Sequence, residues 1–195
     1  MNEAIYKEQL VPDYRDNPLI EALPPILDDS DEIIDMLSHN DGHHDGERQF
    51  GPRDRMQCVL RLFRYFQPLE QHLDIEERFS LCIRQGYLHR SPLSPEYAKA
   101  LADGYKTIKS GGYELPVSHN PTGSGFTIIG LSGVGKTSAV TRVLNLYPQV
   151  IVHSRYRDIP LVLKQIVWLK LDCPHDGSLK GLCMDFLKPL TMCTN

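Results

Sequence analysis

The sequence predicts an α/β chain in which a mainly helical N-terminal region leads into a parallel sheet that is incomplete at the C-terminus. Three observations predict it. Helix-start signals recur between residues 29 and 96: Asp29 with Glu32, Asp74 with Glu77, and Ser94-Pro95-Glu96. Apolar runs rich in β-formers come later, at Phe126–Ile129, Gln149–His153 and Gln165–Leu171. A helical segment separates the first two runs, and strand–helix–strand order argues for parallel pairing.

Composition narrows the class. The chain has 195 residues, 41% apolar and 24% charged, room for one domain or one plus a small extra. No apolar run approaches the roughly 20 residues of a membrane helix. The start, MNEAIYKEQL, has no apolar core after a basic segment, so no signal peptide is expected. Five cysteines, an odd number without a C-x-x-C pair, fit a reducing cytoplasm rather than a disulfide scaffold. A membrane protein, a collagen-like chain, a secreted mini-protein and a fully disordered tail are excluded on these grounds. The net charge of −4 hides an asymmetry: residues 1–47 carry −11 and residues 48–195 carry +7. A basic body behind an acidic leader suits a polyanion such as nucleic acid, and equally an ordinary patchy surface.

Taken in order, residues 1–27 read as extended or loosely helical, because Pro18, Pro24 and Pro25 disfavour helix before them. Leu19, Ile20, Leu23, Ile26 and Leu27 suit a strap packed on its own domain, or an arm on another surface. Asp29 to Leu37 reads as a short helix capped by Asp29. Residues 38–52 are a polar loop whose His39, His43, His44 and Asp45 match no standard metal-ligand spacing. Residues 53–66 place Met56, Val59, Leu60, Phe63 and Phe66 on one helical stripe, with Arg53, Arg61 and Arg64 away from it. Those arginines suit a solvated face or a DNA-facing row. A second helix runs from Asp74 to Gln85, burying Ile75, Phe79, Cys82 and Ile83. A third runs from Ser94 to about Lys109, stopped by Gly111-Gly112. Residues 116–125 are turn-rich. After the strand at 126–129, Lys136 to Leu146 reads as a helix, and Leu179–Lys188 as another, capped by Ser178 and stopped by Pro189.

The chemistry concentrates at Gly130-Leu131-Ser132-Gly133-Val134-Gly135-Lys136-Thr137, which fits G-x-x-x-x-G-K-[ST] at every fixed position. Glycines let the backbone bend so that N–H groups converge on phosphate oxygens, and the helix that follows adds its positive dipole end. Lys136 suits the β and γ phosphates and Thr137 suits Mg²⁺. A strand before the motif and a helix after it is the context it requires. Hydrolysis needs more: an acid on a neighbouring strand and a group to orient water. No apolar run after the loop ends in an acid pair; Asp172, after IVWLKL, is the nearest candidate. Only 59 residues follow Lys136, against the roughly 150 of a typical complete domain.

Three segments carry a family resemblance: GFTIIGLSGVGKTSAVTRVL around the loop, QIVWLKLDCPHDGSLKGLCMDF after it, and YRDNPLIEALPPIL near the start. With the lead-in IRQGYLHRSP they resemble the TniB/TnsC-type transposition ATPases, AAA+ proteins of bacterial transposons. The resemblance covers nearly the whole chain. It implies a P-loop, AAA+-like fold whose sheet is incomplete at the C-terminus. The acidic arm and linker would be residues 1–52, the helical lead-in 53–112, and the N-terminal part of the ATPase domain 113–195. It implies ATP and Mg²⁺ as ligands, assembly on double-stranded DNA as a ring or filament of copies, and recruitment or activation of a transposase under a target-selection protein. Gly130 to Thr137 carry over as the nucleotide site, with Lys136 on phosphate and Thr137 on Mg²⁺; Ser138 would add a phosphate contact. The family's Walker B pair, sensor, arginine finger and helical lid have no counterpart in this sequence. A chain that binds ATP without hydrolysing it is therefore expected, whether a truncated product, a fragment or a shifted frame.

Other residues have blander readings. Cys173, His175, Cys183 and Cys193 have no defensible zinc spacing. Asp172 and Asp176 suit a strand end and a turn that caps the next helix, or acids near a nucleotide. Trp168 suits the core. Arg155 and Arg157 flank Tyr156 in a segment read as a loop, a combination that can grip a DNA backbone or simply face solvent. Two further readings stay open: a small P-loop phosphotransferase, and a non-enzymatic module that caps full-length relatives.

Overall fold

A computed structural model describes residues 2–111 and 123–194, with side chains described to 191. The fold is mixed α/β. The described chain forms two compact units that interleave along the sequence: one of Met1–Pro25, Phe79–Ile129 and Tyr147–Asn195, the other of Ile26–Arg78 and Gly130–Leu146. The expected boundary at residue 113 lies outside the described residues, as do Gly112 and most of the turn-rich stretch after it.

The first unit is organised by a hairpin of β2 (Val150–Tyr156) and β3 (Ile159–Ile166), with the short β1 (Asn2–Glu3) on the other side of β2. β2 and β3 are antiparallel, from Val150 opposite Ile166 to Tyr156 opposite Ile159, while β1 pairs with β2 in parallel. The sheet is thus mixed, which corrects the parallel sheet expected from strand–helix–strand order. Only Arg157 and Asp158 join the two long strands, and a two-residue link can make a hairpin but never a crossover. Among the described residues no strand forms at Phe126–Ile129, and the run at 165–171 leaves the sheet after Ile166. Pro160 is tolerated because β3 is an edge strand.

Side-chain alternation explains the register. Ile151 and His153 are buried, and a bulge between His153 and Arg155 shifts the phase so that Tyr156 is buried too. Leu161 and Gln165 are the buried positions of β3. The N-terminal strap closes over this surface. Its helix α1 (Pro18–Glu21) starts at Asn17, whose Oδ1 accepts the Leu19 N–H at 3.1 Å while its Nδ2 donates to the Tyr87 carbonyl at 2.8 Å. Ile20 and Leu23 are almost wholly buried, and Ala22, Leu23 and Ile151 form a cluster flanked by Tyr6, Ile83 and Tyr87. Each fully buried side chain of this kind contributes about 1.5–3 kcal/mol of transfer free energy. The strap therefore docks on its own unit.

Polar groups inside this unit find partners across long sequence separations. Arg84, 1% exposed, donates to Ser80 Oγ at 2.6 Å and to the Pro24 carbonyl at 2.6 Å. Gln165 Nε2 donates to the Leu19 carbonyl at 2.9 Å, so its Oε1 faces His153 Nε2 at 2.9 Å. A carbonyl can only accept, so the imidazole proton sits on Nε2, and Nδ1 accepts from Tyr6 Oη at 2.8 Å. Trp168 lies past β3, half-buried, and donates to the Tyr147 carbonyl.

The helices of the two units follow their caps more closely than their stripes. In the second unit, α2 (Ser30–Leu37) is capped by Asp29 Oδ1 and buries Ile33 and Leu37. Helix α3 (Pro52–Val59) is shorter than the expected 53–66 and tightens into a 3₁₀ segment at Leu60–Phe63. Its apolar stripe stays exposed, with Met56 at 67% and Phe63 at 86%. The segment is held instead by arginines: Arg61 pairs with Glu47 and donates to the Gly42 carbonyl, and Arg64 pairs with Asp41. Helix α4 (Glu70–Tyr87), which the second unit shares with the first from Phe79 on, begins a turn earlier than Asp74, where the Leu69 N–H donates to buried His72 Nδ1 at 2.8 Å. Asp74, released from capping, pairs with Arg78. In the first unit, α5 (Pro95–Lys109) has the expected Ser94 cap on the Tyr97 N–H, and Gly111 follows it at φ 76°. The last helix of that unit (Leu179–Thr194) has Ser178 at its start but runs through Pro189, which corrects the expected stop. Proline deletes one helical hydrogen bond; the bonds on either side can continue. Among the described residues, no helix is long and apolar enough to cross a membrane.

Candidate functional site

The glycine-rich loop lies wholly in the second unit, ahead of α6 (Lys136–Leu144). Gly133 has φ 80° and Gly135 has φ 90°, both left-handed, which is the conformation glycine adopts without penalty. Gly130 is constrained differently: a Cβ there would meet Val134 Cγ1 at 3.3 Å, a tight contact with an exposed side chain. The loop turns twice and delivers the chain into α6, whose Ala139, Val143 and Leu144 are buried and anchor it. Gly135 occupies the cap position and offers no side chain, so no side-chain oxygen satisfies the first-turn N–H groups. Those donors and the helix dipole face an exposed loop: Leu131 is 84% exposed, and Ser132, Thr137 and Ser138 are also open.

Lys136 reaches back over the loop. Its Nζ donates to the carbonyls of Gly130 at 2.8 Å and Leu131 at 2.7 Å. The ammonium is thereby held against the backbone of the same glycine-rich turn. Beside the loop lies an open cleft of about 340 Å³ lined by Phe63, Tyr65, Phe66, Thr137, Thr141 and Arg142. The Arg142 guanidinium stacks on the Phe66 ring at 5.1 Å and donates to the Arg64 carbonyl. A helix N-terminus without a side-chain cap, a lysine and two hydroxyl residues suit phosphate, and the aromatic wall suits a flat ring next to it.

No protein-family model matches this chain, and neither does any curated protein.

The other sequence candidates are placed as follows. The segment before the loop, 126–129, is irregular, with Phe126 edge-on to Phe79 at 5.1 Å. Asp172 is exposed in irregular chain, and Asp176 Oδ1 accepts the Ser178 N–H at the start of the last helix. Among the described residues no three of His, Cys, Asp and Glu assemble into a metal-sized group; the Cys193 side chain lies outside them. His39 instead pairs with Asp41.

Arg155 and Arg157 sit at the tip of the β2–β3 hairpin, not in a loop after a lone strand. Arg157 Nη2 pairs with Asp16 at 2.7 Å and lies 3.7 Å from Glu21, with its guanidinium 4.9 Å from the Tyr156 ring centre. Hydrogen bonding to Asp16 raises its pKa. The Tyr156 hydroxyl, raised by burial and by its bond to Glu21, donates to Glu21 Oε2 at 2.8 Å. Sequence reading singled out Arg157 but missed Asp16 and Glu21, which lie more than a hundred residues away in an acidic segment that carries no local motif.

Proposed function

We propose that the chain binds ATP with Mg²⁺ at Gly130–Thr137 and regulates DNA transposition in the manner of TniB/TnsC-type ATPases. In this reading it assembles on double-stranded DNA and recruits or activates a transposase. The observation that carries the nucleotide part is the loop geometry: left-handed Gly133 and Gly135 leading into α6, with Lys136 folded over the turn. On binding, phosphate oxygens take the backbone donors and Lys136 exchanges two carbonyls for phosphate. Thr137 would carry the Mg²⁺, and Ser138 would add a hydroxyl. The DNA and transposase parts rest on the family resemblance and on the +7 body. The role proposed is binding rather than turnover, because no acid pair ends an apolar run after the loop.

A second reading, a module that binds nucleotide and caps full-length relatives, is favoured by one observation. Among the described residues the 126–129 segment ahead of the loop forms no strand, so the strand that a hydrolytic P-loop places before its glycines is not formed there.

Calorimetric titration with ATP and Mg²⁺ tests the nucleotide reading, with Lys136→Ala as control. Loss of a charge-assisted contact worth about 1.5–3 kcal/mol predicts affinity weakened at least about tenfold. A folded wild-type chain that takes up no ATP, or a variant that binds equally well, overturns it. Sedimentation with duplex DNA, with and without ATP, then separates assembly from capping.

A further inference from the structure

Two residues other than glycine have positive φ among the described residues: Asp16 at 60° and Arg157 at 51°. They are ion-paired to each other. Asparagine and aspartate tolerate this conformation, whereas for a long side chain such as arginine it is an outlier of the kind found at functional sites. Arg157 is the first of two residues linking β2 and β3, a turn position that favours glycine. The turn alone would be better served by glycine, so the guanidinium must do something there.

The contacts around the pair close a ring. Asp16 holds the guanidinium, the guanidinium covers Tyr156, Tyr156 donates to Glu21, and Glu21 Oε1 accepts the Asp16 N–H at 2.9 Å. The inner half of this ring is buried: Glu21 is 5% and Tyr156 2% exposed. The outer half is open, with the Arg157 and Asp16 side chains 61% and 74% exposed. Arg155, on the same hairpin, is exposed and has no ion pair among the described residues.

We propose that the Asp16–Arg157 pair is an autoinhibitory latch in which Asp16 occupies the guanidinium that a DNA backbone phosphate would otherwise take. This rests on the DNA-binding reading above. A guanidinium fork accepts carboxylate and phosphate in the same geometry, so the two compete for one donor set. An exposed pair is weak and salt-screened, so phosphate can displace it. Glu21 stays in place when the latch opens, because Tyr156 and the Asp16 N–H hold it from inside. Release frees Arg157 from Asp16, its closer partner, while the longer 3.7 Å approach to Glu21 remains, and it does so beside Arg155 without dismantling the strap. The acidic leader acts here as a local brake on the basic body.

The test compares Asp16→Asn with Asp13→Asn, which removes the same charge from an exposed position on the same strap that has no ion pair among the described residues. Elution from immobilised heparin and affinity for a fluorescent DNA duplex are both measured. Asp16→Asn is expected to elute at higher salt than Asp13→Asn and to bind duplex about two- to fivefold more tightly, the range an exposed ion pair allows. The excess must vanish in an Arg157→Ala background. Asp16→Gly, also at ease at φ 60°, repeats the test should the first variant fold poorly. Asp16 variants that match Asp13→Asn, or an excess that survives without Arg157, overturn the latch. A heparin excess together with no duplex binding by any variant keeps the latch and sinks the DNA reading.

Discussion

Gly135→Ala probes the loop where geometry and function meet. Gly135 has φ 90° and ψ 13° at the start of α6, and a Cβ built there meets nothing within 4 Å. The cost of alanine is therefore conformational, not steric, and a left-handed non-glycine residue costs about 1–2 kcal/mol. For a chain of this size that lowers Tm by roughly 2–8 °C. Gly133→Ala, at φ 80° with the same open surroundings, should match it. Gly123→Ala is the control: it is open and has no positive φ, so alanine should be neutral or stabilise by about 0.4–1 kcal/mol. ATP affinity should fall in the first two variants and not in the third, because alanine disfavours the left-handed backbone on which the proposed phosphate cradle depends. Thermal unfolding and calorimetric titration read both effects. If Gly135→Ala melts and binds ATP like Gly123→Ala, the loop does not depend on its left-handed residues, and the phosphate-cradle argument fails.

Two further predictions concern the first unit. Burial lowers the His153 pKa below its ordinary 6.5, so the unfolded chain binds more protons and stability must fall as pH drops from above 6.5 through the lowered folded value. Denaturant midpoints between pH 7.5 and 5 should show this fall, and His153→Gln should flatten it; equal slopes would refute the assignment. Asn17→Ala removes both the cap on α1 and the bond to the Tyr87 carbonyl from a residue that is 4% exposed. Chemical denaturation should show a loss of about 1–3 kcal/mol, and a change under 0.5 kcal/mol would mean the strap is not held this way.

Legibility in the sequence divides along the range of the forces involved. Local chemistry was readable. Asp29, Ser94 and Ser178 mark helix starts because a side-chain oxygen needs only a donor two or three residues away. Gly133 and Gly135 fall where φ turns positive because only glycine is indifferent there. What failed had the right local pattern and the wrong partner. The 53–66 stripe is helical in period, yet Met56 and Phe63 are exposed, and Arg61 and Arg64 hold the segment instead. The hairpin was hidden because RYRDIP lacks the glycine that announces such turns.

By itself, then, the sequence determined an α/β chain, the helix starts at Asp29, Ser94 and Ser178 and a glycine-lysine turn leading into a helix, since each depends on neighbours within one turn. Only the tertiary structure decided that the sheet is a hairpin with a parallel edge, that the strap packs on its own unit, and that Arg84 and His153 are buried. The parallel edge, the strap and the two buried side chains turn on partners 60 or more residues distant, such as the Pro24 carbonyl and Tyr6. The Asp16–Arg157 pair belongs with them: two residues in unfavourable backbone conformations meet because the strap and the hairpin tip are brought together by burial of the groups between them, Glu21 and Tyr156.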